Sequence, residues 1–153
     1  MEEKRPTIHD GAGIPRHDRY KSAIERCNKA IQDGFVIEAI AIEESLIADR
    51  LESLTNEIVG GGWSYKPAGK LVWHLLNTLR SHMNEELIEC LRNAQKWCNK
   101  RNIAIYRMAK LTPDMTSSFD EDYKKLSIVA KEGMIIFREI DKSISHYRKN
   151  TKS

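Results

Sequence analysis

At 153 residues and 17.7 kDa the chain has the size of one domain with one core, and 41% hydrophobic and 31% charged residues are ordinary for a globular protein. No apolar run is long enough to cross a bilayer, and Met1 to Tyr20 has no continuous apolar stretch of the signal-peptide kind, so a cytoplasmic protein without membrane association is expected. Cys27, Cys90 and Cys98 are odd in number and form no Cys-x-x-Cys pair, which argues against a disulfide framework or a thiolate zinc site and for buried free thiols.

Residues 1–18 hold Pro6, Gly11, Gly13 and Pro15 without apolar period and read as a flexible arm. The bundle domain is expected over 19–149, with a basic tail at 150–153. Asp18 is a suitable N-cap for a first helix that carries Ile24, Cys27 and Ile31 and ends near Gly34. From Phe35 to Val59 two stripes lie side by side at helical spacing. One is Val36, Ile40, Ile47, Leu51, Leu54 and Ile58; the other is Phe35, Ala39, Ile42 and Leu46. Gly60-Gly61-Gly62 stops this helix.

A third helix is expected from Ala68 to about His82, with Leu71, Leu75, Leu76 and Leu79 inward. Asn84 caps a fourth, with Glu85 and Glu86 in its first turn, running to about Lys110. Thr112-Pro113-Asp114 breaks it, and Ser118 with Glu121 forms a capping-box pattern for a last helix reaching about Tyr147. No stretch alternates as a strand with hairpin turns would. The expected class is all-α: an antiparallel up-and-down bundle of four to five helices.

Charge is spread unevenly around a net +3. Lys142, Arg148, Lys149 and Lys152 sit in an acid-free C-terminal stretch, and Cys90 to Pro113 is a second acid-free window. On a helical wheel Leu87, Leu91, Ala94, Cys98, Ile105 and Met108 take one side of the fourth helix. Arg92, Lys96, Lys100, Arg107 and Lys110 take the other, within about 80°. Such a ridge can follow phosphates through counterion release, or it can be a solvated face paired with acids on a neighbouring helix.

Arg101 lies inside the apolar arc, where a guanidinium needs a partner. Glu43, equally out of place within the Val36–Ile40–Ile47 stripe, is the candidate structural partner; a phosphate pocket is the alternative. Asn102 and Tyr106 share a polar-aromatic strip with Gln95 and Asn99. His82 and Glu86 are four apart but do not complete a metal site, so no metal or cofactor is expected. His74 reads as a satisfied core or interface histidine, and Trp63 and Tyr65 as anchors of the glycine loop, with stacking on bases the alternative.

The segment Arg101-Asn102-Ile103-Ala104-Ile105-Tyr106 resembles the Arg-Asn-x-x-x-His signature of HEPN domains, with Tyr106 in the histidine position. The resemblance extends to Glu38–Leu54 and Gly69–Val72, over roughly residues 20–147. It implies a HEPN-like bundle, a homodimer with Arg101, Asn102 and Tyr106 at a composite catalytic cleft, and an RNA-directed role of the bacterial stress or phage-defence type. Arginine suits stabilisation of a phosphate anion, whereas a phenol with a reference pKa near 10 is a poor base at neutral pH. The expected function is therefore RNA or nucleotide binding without cleavage. The alternatives are a metal-independent endoribonuclease and a non-catalytic module whose basic ridge meets a protein partner.

Overall fold

The computed structural model describes residues 13–109 and 118–151, with side chains from 17 to 108 and from 118 onward. Five α-helices follow in order: α1 (Gly13–Asp33), α2 (Val36–Val59), α3 (Ala68–Asn77), α4 (Glu85–Ala109) and α5 (Phe119–Thr151). A single 3₁₀ turn, Arg80–His82, sits between α3 and α4. There is no strand among the described residues, and no helix among them is long and apolar enough to cross a membrane. The all-α class stands.

The two stripes of α2 explain its central place. Val36, Ala39, Ile40, Leu46, Ile47, Leu51 and Leu54 are buried, and Ile42 and Ile58 are partly so. Phe35 corrects the expectation: it precedes the helix and is exposed. α5 packs along α4 and α2, while α1 lies on α2 and α3 on α2 and α4. Contacts between Glu86 and His146 at one end of α4, and Lys100 and Glu132 nearer the other, show that α4 and α5 run antiparallel.

Helix ends follow local chemistry. The Leu87 amide donates to Asn84 Oδ1 at 2.9 Å, so Asn84 caps α4 as expected. At α5 the Glu121 amide donates to Ser118 Oγ at 3.2 Å, one half of the expected capping box. Gly60 ends α2 at φ 87°, with its amide on the Asn56 carbonyl at 2.8 Å.

Three boundaries differ from expectation. α1 begins at Gly13, so Asp18 is interior to it and the domain starts before residue 19; Pro15 falls in the first turn, where an amide has no intrahelical acceptor to lose. α3 stops at Asn77 and the chain tightens into the 3₁₀ turn. α5 continues to Thr151, past the expected boundary of the tail. The arm before residue 13, the Thr112-Pro113-Asp114 break, Lys110 and Lys152 lie outside the described residues.

The glycine loop is held from both sides. Asn56 Nδ2 donates to the Trp63 carbonyl at 2.7 Å, and the Trp63 amide donates to Asn56 Oδ1 at 2.9 Å. The Trp63 ring stacks on His74 with centroids 4.1 Å apart. The anchoring role expected for Trp63 is realised. Tyr65 corrects it, being fully exposed, and His74 is packed but not satisfied, since its Nε2 is buried without a hydrogen-bond partner.

Candidate functional site

Arg101 is half-buried on the side of α4 that faces α2. Its Nη1 pairs with Glu44 Oε2, while its Nε and Nη2 donate to Asn102 Oδ1 at 3.2 and 2.9 Å. The guanidinium carbon lies 5.4 Å from the centroid of Trp97. Glu44 Oε1 in turn accepts the Ala68 amide at 2.9 Å. One carboxylate thus joins α4 to α2 and to the first turn of α3. Burial lowers the Arg101 pKa from its ordinary value.

The partner expected for Arg101 was Glu43, and that expectation is corrected. Adjacent residues on a helix point about 100° apart. Glu44 takes the direction of α4 and the α3 N-terminus, while Glu43 turns into the core and is fully buried. There the Cys27 thiol lies 3.6 Å from Glu43 Oε2 and 3.6 Å from the Ala39 carbonyl. Glu43 Oε1 has no hydrogen-bond partner. Desolvation pushes the Glu43 carboxyl up to about 8, opposed by hydrogen bonds from Cys27 and the Met134 backbone. Burial likewise pushes Cys27 up to about 12, and Cys90 and Cys98 to about 11. All three cysteines are free, buried thiols, as expected.

Gly133 of α5 faces Glu43 across the core. A Cβ there would stand 2.6 Å from Glu43 Cδ and 2.6 Å from Trp97 Cζ2. Trp97 was absent from the expected apolar side of α4, yet it is among the largest fully buried side chains, and its indole N–H donates to the Val129 carbonyl at 2.9 Å. Ile105, expected on that apolar side, is 39% exposed, while Ala104 and Met108 of the same turns are partly buried against the core.

Asn102 and Tyr106 are exposed beyond Arg101. The motif positions are therefore split: Arg101 is engaged inside the bundle, while Asn102 and Tyr106 face outward. Of the ridge, Lys96, Lys100 and Arg107 are exposed. Arg92 pairs with Glu89 at 3.4 Å and Lys100 with Glu132 of α5 at 3.6 Å. Pairing with acids on a neighbouring helix thus holds for Lys100, whereas Arg92 pairs within α4; both pairs are of the weak surface kind. His82 and Glu86 do not meet; Glu86 pairs with His146 Nδ1 at 3.0 Å. No group of metal-ligating side chains occurs among the described residues.

The wheel of α4 alone missed a continuation of positive charge. The solvent face of α5 presents Lys124, Lys125, Lys131, Arg138 and Lys142, all exposed, around exposed Ile128 and Ile135. A signal for it existed in the seven-residue step from Ile128 to Ile135 and from Lys124 to Lys131 to Arg138. Comparison of the chain with protein-family models, curated proteins and solved structures finds no match.

Proposed function

We propose that the chain is a HEPN-like, homodimeric bundle of the bacterial stress or phage-defence type that binds RNA or a nucleotide without cutting it. The observation that supports this most is the division of the motif. Every nitrogen of the Arg101 guanidinium is already engaged, by Glu44 or Asn102, and the histidine position holds Tyr106. Cleavage through a 2′-hydroxyl needs a free cation at the phosphate and a group that exchanges protons near neutrality. In this arrangement Arg101 is already engaged, and a phenol exchanges protons poorly near neutrality. What remains outward is suited to binding: Lys96, Lys100 and Arg107 can meet phosphates, and Tyr106, 58% exposed, can stack on a base.

The test incubates a labelled RNA pool with the wild type, Tyr106→His and Lys96→Glu/Lys100→Glu/Arg107→Glu in EDTA, following both retention and cleavage. Salt-dependent retention by the first two, loss in the third, and no cleavage in any is the expected outcome. Cleavage by the wild type would replace the binding reading with a metal-independent endoribonuclease. Retention unchanged in the triple variant would remove the α4 surface from RNA binding.

A further inference from the structure

A shallow groove runs between α4 and α5 from Arg107 and Lys125 at one end to Lys96 and Glu139 at the other. Its two adjoining hollows measure about 300 and 250 Å³. Ile103, Ile128 and Ile135 line them and are 58%, 57% and 55% exposed, so a strip of branched aliphatic side chains lies open where the two helices meet. Cations border the strip: Lys96, Lys100 and Arg107 from α4, and Lys125 from α5. Lys131 and Arg138 follow on the outer side of α5, within roughly 80° of Ile128 on the helical wheel. Of the lining acids, Glu132 is paired with Lys100, Asp122 is buried, and Glu139 closes one end.

We infer that this groove docks an acidic amphipathic helix of a partner protein. The charge of the rim selects a negative partner, and the strip selects its shape. Isoleucine offers a nucleic acid nothing to stack on, since bases stack on aromatic rings or guanidinium planes. An apolar stripe on a helix, by contrast, would cover it. Ile128 and Ile135 are two turns apart, about 10.5 Å along α5, which is the spacing of i and i+7 anchors on a docked helix. A second copy of this chain fits less well, because a two-fold contact would place the basic rim against itself. Docking does not depend on RNA binding. Where RNA uses Lys96, Lys100 and Arg107, the helix occupies the same cations and the two ligands exclude each other.

The test uses the full chain and a labelled synthetic peptide with leucine at i, i+3 and i+7 positions and glutamate between them, followed by anisotropy. Saturable binding is expected, weakened at least about tenfold for a scrambled peptide of the same composition and for Ile128→Ser/Ile135→Ser. Both side chains are more than half exposed, so the thermal melt of this variant should match the wild type. If the melt falls, Ile103→Ser on α4 takes its place as the probe of the strip. Equal binding of the scrambled peptide would mean charge alone is recognised and would overturn the proposal, as would unchanged binding to the variant. Light-scattering self-association that disappears in the variant would give the groove to a second copy instead. RNA retention is measured in parallel: the serine changes should leave it intact, and failure of RNA to bind at all would remove the exclusion without touching the peptide result.

Discussion

Glu43→Gln tests the least expected feature of the core, a fully buried carboxyl with one oxygen unpartnered. In the unfolded chain this group gives up its proton near 4.5, whereas in the folded chain it keeps it until about 8. Between those values folding takes up a proton, so stability falls as pH rises; below 4.5 both states are protonated, and above about 8 the loss is complete. At about 1.4 kcal/mol per pH unit, the loss across the window is on the order of 5 kcal/mol. That is a large share of the roughly 5–15 kcal/mol that holds a domain together. Cys27, which faces Glu43 from α1, keeps its proton throughout the window, and Gly133, Met134 and Trp97 bring no charge. Glutamine keeps the shape of the protonated acid and does not titrate. Urea midpoints of the wild type and Glu43→Gln from about pH 5 to about pH 9 should therefore diverge, the variant gaining on the wild type as pH rises. Titrations common to both chains cancel in the difference. A difference that stays flat across this range would show that water reaches Glu43 and would refute the argument.

Four other perturbations follow from the same contacts. Gly133→Ala places a methyl against Glu43 and Trp97 and should destabilise by about 1–3 kcal/mol in chemical denaturation. Trp97→Phe removes the donor to the Val129 carbonyl and part of the ring's volume; a loss of about 1–3 kcal/mol is expected by the same measurement. Arg101→Ala strips Glu44 of its cation and should destabilise by roughly 2–3 kcal/mol, below the fully buried range because Glu44 keeps the Ala68 amide and some exposure. Asn56→Ala frees both backbone groups of Trp63 and should speed amide exchange in the glycine loop while leaving α4 and α5 protected.

The bundle was legible because apolar spacing is a physical demand repeated along each helix. The stripes of α2 and the Leu71–Leu75 face of α3 satisfy it almost without exception. Capping at Asn84 and Ser118 was legible for a related reason, since a short side chain must meet an amide within three residues. Partner choice was less so. That Arg101 needed a carboxylate followed from its place in the apolar arc. Which of two adjacent glutamates it takes depends on rotation about the α2 axis, which no single-helix wheel contains. Trp97 was missed in a similar way: its burial rests on Gly133 of another helix, where the missing side chain makes room for the ring. The cationic face of α5 is marked by its own seven-residue steps, but that it continues the α4 ridge is visible only when α4 and α5 are laid side by side.

The last helix has a consequence for the order in which this protein is made. α5, 33 residues and roughly 50 Å long, supplies Gly133, Met134 and Phe137 to the core and covers the Trp97 side of α4. Until it is synthesised, the inward faces of α2 and α4 have no lid, and Glu43 has no reason to hold its proton. At about 5–20 residues per second that interval is roughly 2–7 s. A nascent chain in that state presents its stickiest surface to whatever is nearby, so chains cut short within α5 should be lost to aggregation or proteolysis rather than survive as smaller bundles.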